Sequence, residues 1–213
     1  METVDDKSNK GLEILQKLYD KAGVGISKVV PPISDVADDY LHKSLTREEA
    51  AKSFITNQIT KCTASGFITG FGGLITLPVS IPANITSVLY VQMRMIQGIA
   101  YIAGYDLASD QVQTFCYACL AGISVNEGFK KLGLQFGQKL TVNMIKKIPG
   151  KALQKINKLI GFRFITKFGE KGLVNLGKAI PLIGGPINGG LDFIETKIIA
   201  DRAYKTFIVG DMQ

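Results

Sequence analysis

The chain has 213 residues, enough for one medium domain that buries a core without staples, and 46% of them are hydrophobic. That balance points to membrane contact or a partner surface, although the absence of Trp argues against full insertion, and three cysteines are too few for a disulfide framework. The net charge of +7 is uneven: residues 1–125 hold 10 Lys/Arg against 12 Asp/Glu, whereas residues 126–213 hold 15 against 6.

The polar, acidic start Met1-Glu-Thr-Val-Asp-Asp-Lys has neither the basic nor the apolar part of a signal peptide, so a cytoplasmic location is expected. Leu12, Leu15, Leu18 and Tyr19 predict a short amphipathic helix over 8–20. Pro31-Pro32 stops it, and Ser34 is the expected cap of a second helix to Lys43. These short helices form an N-terminal segment, 1–45, ahead of a helical domain, 46–210. Thr46-Arg-Glu-Glu49 has the form of a capping box and opens a longer helix at Arg47.

From Cys62 to Met93 there is no charged residue, a run of 32 positions. Gly72, Gly73, Pro78 and Pro82 divide it, predicting a helix to about Phe71, a tight turn, and a second helix from Pro82 to about Gly104. The pair reads as an apolar helical hairpin. Its first arm is shorter than the roughly 20 apolar residues a span needs, and its second carries Gln92, Arg94 and Gln97. A shallow hairpin or a buried core therefore fits better than two clean spans.

After Tyr105-Asp106, Ser109 should cap a helix over Asp110–Ile123, and a further helix should run from about Ser124 or Asn126 to Lys147, closed by Pro149-Gly150. Helical patterning continues from Lys151 to about Lys178, an uncharged Gly/Pro-rich stretch covers Ala179–Leu191, and a last helix reaches about Val209. No alternating strand pattern appears, so the fold class is all-α: a single multi-helix domain around a central apolar hairpin.

Catalytic chemistry finds little to work with. Cys116-Tyr-Ala-Cys119 lies within an apolar helix, so its thiols read as core rather than as a zinc or redox site. His42 is the only histidine, no Gly-x-Ser-x-Gly elbow exists, and the neighbours Asp38-Asp39 and Glu48-Glu49 point apart on a helix. Gly172–Ala179 nearly matches a P-loop but lacks its Ser/Thr. The expectation is a non-enzyme with no catalytic residue, cofactor or metal.

The basic half is the strongest partner signal. Lys151, Lys155 and Lys158 share one helix face, and Arg163, Lys167 and Lys171 repeat the spacing. A Lys-rich face beside an apolar one suits an anionic membrane surface; nucleic acid is disfavoured because no binding module is recognisable. Gly66-x-x-x-Gly70 and Gly185-x-x-x-Gly189 offer spacings at which helix backbones approach closely. A Gly-rich apolar hairpin also allows a competing reading, a pore-forming effector or toxin stored in soluble form.

Two segments carry a resemblance. The first is Gly70-Phe-Gly-Gly-Leu-Ile-Thr-Leu-Pro78-Val-Ser-Ile-Pro82, leading into Val91-Gln-Met-Arg94 and ending at Gly104-Tyr-Asp106. The second is Lys178-Ala-Ile-Pro181-Leu-Ile-Gly184-Gly185-Pro-Ile-Asn-Gly189-Gly190, with Ala203-Tyr204 behind it. Together they resemble the EcsC protein family over roughly residues 46–210. The resemblance implies a helical, membrane-associated bacterial protein, with Gln92, Arg94 and Asp106 as the family's polar positions. The family is named for a component encoded beside an ABC transporter, which implies a protein partner in a membrane complex. Ser80 stands where the family pattern has an acidic residue.

Overall fold

Thr3 starts the first helix, α1 (Val4–Val24), through a reciprocal cap: its Oγ1 accepts from Asp6 N at 3.1 Å and its N–H donates to Asp6 Oδ2 at 3.0 Å. The helix begins earlier than the leucine periodicity suggests because the N-terminal end of its buried stripe is made of Ser8 and Gly11, ahead of Ile14, Leu15, Leu18, Tyr19 and Ala22. Gly25, at φ 81°, ends it, and a tight turn with Lys28 at φ 63° pairs Ile26 with Val30. The computed structural model describes residues 3–63, 83–131, 141–169 and 187–211.

α2 (Ile33–Lys43) is capped in position by Pro32 and not by Ser34, which lies inside the helix and donates to Asp35 Oδ1 at 3.0 Å. α3 (Arg47–Thr63) opens as expected at Thr46, whose Oγ1 accepts from Glu49 N at 3.1 Å; the return arm differs, with Glu49 Oε2 accepting from Leu45 N. α4 (Ala83–Ile102) is followed by α5 (Asp110–Ala121). Ser109 holds the N-cap position of α5, but its hydroxyl donates to Gln111 Oε1 instead of accepting from the helix.

The helix expected to run unbroken to Lys147 is interrupted. α6 (Val125–Lys131) is followed by a separate short α7 (Val142–Ile145), which Thr141 starts in extended conformation with Oγ1 accepting from Met144 N. A Thr three residues before an apolar pair is a competent N-cap, and that local bond replaces helix continuation. α8 (Gly150–Phe168) starts after Pro149 and ends at Gly169. α9 (Ile187–Tyr204) passes into a π-helical turn, Lys205–Val209, closed by Gly210 at φ 81°.

The fold is all-α, and α4 is its centre. From Leu89 to Ile102 nearly every side chain is buried, with Arg94 and Tyr101 half-buried. A helix apolar on all sides is a helix covered on all sides, and α1, α2, α3, α5 and α9 all pack on it. That accounts for the missing charge in the second arm of the uncharged run. The hairpin turn, with Gly72, Gly73, Pro78 and Pro82, lies outside the described residues.

α1 packs most extensively on α8. A Cβ added to Gly11 would collide with the Gly161 carbonyl, and one added to Gly161 would collide with the Ser8 carbonyl. Ser8 Oγ, buried at this crossing, donates to Lys158 O at 2.9 Å.

Candidate functional site

At about 100° per residue, Lys151, Lys155 and Lys158 fall within an arc of about 60° on α8. All three are exposed, while Ala152, Leu153, Ile156, Ile160, Phe164 and Phe168 turn inward. Leu159, half exposed at 50%, and the half-buried Phe162 emerge beside them. The face is therefore cationic with an apolar element inside it.

The second basic group does not prolong this arc. Arg163 and Lys167 lie about 120° and 160° round the helix from Lys151. Arg163 is exposed, but Lys167 is half-buried, 2.6 Å from Glu195 Oε1 and 4.5 Å from the centre of the Phe168 ring. Lys158 meets Asp5 of α1 at 3.1 Å, a solvated pair of small worth. Among the described residues Lys151, Lys155 and Arg163 form no ion pair. Lys171 lies outside the described residues.

Of the three polar positions that the resemblance singled out, Gln92 and Arg94 link α4 to other segments and Asp106 holds a local turn. Buried Gln92 donates to Thr196 Oγ1 of α9 at 3.2 Å. Asp106 accepts from Ala108 N at 2.9 Å in the turn after α4. Arg94 donates through Nη1 to Ala22 O at 2.8 Å, in the last turn of α1, and through Nη2 to Pro31 O at 2.9 Å. Burial lowers its guanidinium pKa from the ordinary value, with the nearby Tyr90 ring opposing.

Two further arginines, whose capping role the sequence did not signal, do the same for other helices. Arg47 Nη1 donates to Ile102 O at 2.6 Å at the end of α4, and Arg202 Nη1 donates to Cys119 O at 2.8 Å at the end of α5. Each sits against a left-handed glycine, Gly104 or Gly122. After α4 the amide of Tyr105 bonds back to Ala100 O and that of Gly104 to Tyr101 O, a Schellman closure, so the Gly-Tyr-Asp sequence is a helix stop. The only hint available beforehand was the choice of Arg over Lys, whose planar fork suits bonds to fixed carbonyls.

Cys116 and Cys119 are buried, and burial first of all pushes both thiols up, Cys119 to about 11 and Cys116 well above the usual range. Cys116 lies in a cluster with Tyr19 and Tyr117, whose rings meet edge to face at 5.7 Å. His42 is exposed; Glu48 binds Lys52 and Tyr204, and Asp38 accepts from Tyr101. Among the described residues no three His, Cys, Asp or Glu side chains are placed to hold a metal ion, and no helix is long and apolar enough to cross a membrane.

Comparison with known proteins gives one family. The sequence model described as the EcsC protein family matches residues 10–208. No curated protein and no solved structure matches the chain. With nearly its whole length covered, from α1 into the π-helical turn, the chain belongs to the EcsC protein family.

Proposed function

We propose that the chain is a non-enzymatic protein that binds peripherally to an anionic membrane surface, on the cytoplasmic face, through the outer face of α8. The observation that carries this reading is the exposure of Lys151, Lys155 and Lys158 in one arc, with the half-buried Phe162 within it and Leu159 half exposed at its edge. Such a surface attracts phospholipid headgroups and gives a side chain to the boundary beneath them. A protein partner at the membrane is compatible with the same surface, and the reading needs no cofactor.

Cosedimentation with vesicles tests it. Full-length protein should bind vesicles containing anionic lipid, stay free of neutral ones, and be released as ionic strength rises, because the Debye length falls from about 8 Å at 0.15 M to about 3 Å at 1 M. Each cation near the surface contributes about 1 kcal/mol, so Lys151→Gln, Lys155→Gln and Lys158→Gln together should weaken binding by about two decades. Equal binding to neutral and anionic vesicles would remove the electrostatic claim. Release of trapped dye at low protein-to-lipid ratio would favour the pore-forming alternative.

A further inference from the structure

Arg94, besides capping α1, borders a cavity. A cleft of about 200 Å³ opens beside it, walled by Val29, Val36, Tyr90 and Val91, with Gln58 and Arg94 as polar groups on its lining. These residues come from the turn before α2 and from α2, α3 and α4, so four segments build the cleft.

The guanidinium has five N–H groups, and the bonds to Ala22 O and Pro31 O engage two of them. Carbonyl dipoles satisfy donors but leave the unit charge, and among the described residues no carboxylate pairs with Arg94. A half-buried cation without an anion is costly, and here it is anchored by two main-chain atoms so that it cannot swing out to water without losing both. A rigid guanidinium is the donor best matched to a carboxylate or phosphate, which takes two parallel N–H bonds. The remaining walls are mostly apolar. With a water-sized group occupying about 30 Å³, the cleft has room for about six or seven such groups, a charged head and a short stretch of chain. Its mouth is bordered by Val29, 59% exposed, so a longer chain could continue outward.

We propose that this cleft binds a single-chain amphiphilic anion, its carboxylate or phosphate head on Arg94 and Gln58 and its alkyl chain between Val29, Val36, Tyr90 and Val91. The site shares no residue with the outer face of α8, so it stands whether or not that face binds membranes.

The experiment follows the Arg94 Nε–Hε resonance of the full chain during titration with octanoate, octyl phosphate, octanol and inorganic phosphate. Saturable shifts with octanoate or octyl phosphate, at least tenfold tighter than with octanol or phosphate, are expected, and the tighter of the two identifies the head. Octanol or inorganic phosphate matching the octyl anions would overturn the proposal, because head or chain would then be irrelevant. So would the absence of a saturable shift with either anion. Arg94 also holds α1, so its removal confounds binding with folding; Val36→Trp instead fills the cleft and leaves both carbonyl bonds in place. This variant should retain its helical spectrum and bind the octyl anion at least tenfold more weakly, and undiminished binding would place the anion elsewhere.

Discussion

The buried thiols and phenols around Tyr19 make stability depend on alkali. A thiol whose folded pKa is raised keeps its contribution below the unfolded value, about 8.5, and loses it as pH climbs through the folded value. For Cys119 that window runs from there to about 11, and Cys116, Tyr19 and Tyr117 move in the same direction for the same reason, burial. Urea midpoints measured at pH 8 and pH 10.5 should therefore fall steeply, and Cys119→Ser should not reproduce the thiol's share of the slope. In the native protein neither thiol should react with iodoacetamide at pH 8 within the time that denatured protein is fully alkylated. At this scale the sequence was legible where apolar neighbours surround a residue, as for Cys116 between Phe115 and Tyr117. It was silent on Arg47 and Arg202, because the carbonyls they cap lie 55 and 83 residues away. Arg202→Ala should cost about 2 kcal/mol in urea unfolding, the usual worth of a hydrogen bond to a charged group, and Arg202→Lys should recover less than half.

Between elements, the contact of α1 with α8 rests on hydrogen atoms where side chains would otherwise stand. Helix periodicity could identify the leucine half of α1, and the all-α class followed from the absence of strand patterns. It could not pair α1 with α8, since a single glycine from each helix at the crossing, Gly11 and Gly161, forms no repeat. The glycine spacings that attracted notice, Gly66–Gly70 and Gly185–Gly189, lie in or beside segments outside the described residues, whereas the close approach the structure shows joins Gly11 to Gly161. Ala is the better helix former by up to about 1 kcal/mol, yet Gly11→Ala drives a methyl into backbone atoms that cannot rotate away. Overpacking of this kind costs about 1–3 kcal/mol, so a net loss is expected in urea unfolding. Gly150→Ala, where nothing lies within 4 Å of the new methyl, should be neutral or slightly stabilising.

For the whole molecule, the uncharged run has two meanings that only packing separates. Apolar side chains on every face of α4 suit a lipid environment or the middle of a helical bundle equally well, and mean hydropathy cannot choose between them. Among the described residues five helices pack on α4, and its polar side chains donate to the segments around it: Gln92 to Thr196, Gln97 to Tyr19 O at 3.0 Å, Arg94 to Ala22 O and Pro31 O. Opening the bundle would break these bonds together with the packing of α1 and α9, so the amides of α4 should exchange with solvent only through global unfolding. Hydrogen exchange read by mass spectrometry should give peptides over Leu89–Ile102 a protection free energy equal to that from urea unfolding. Adding anionic vesicles then distinguishes two modes of attachment. Docking through the outer face of α8 leaves α4 as protected as before and slows exchange only where α8 meets lipid. If protection of α4 instead falls in step with vesicle binding, the bundle opens at the membrane, and the peripheral reading gives way to insertion.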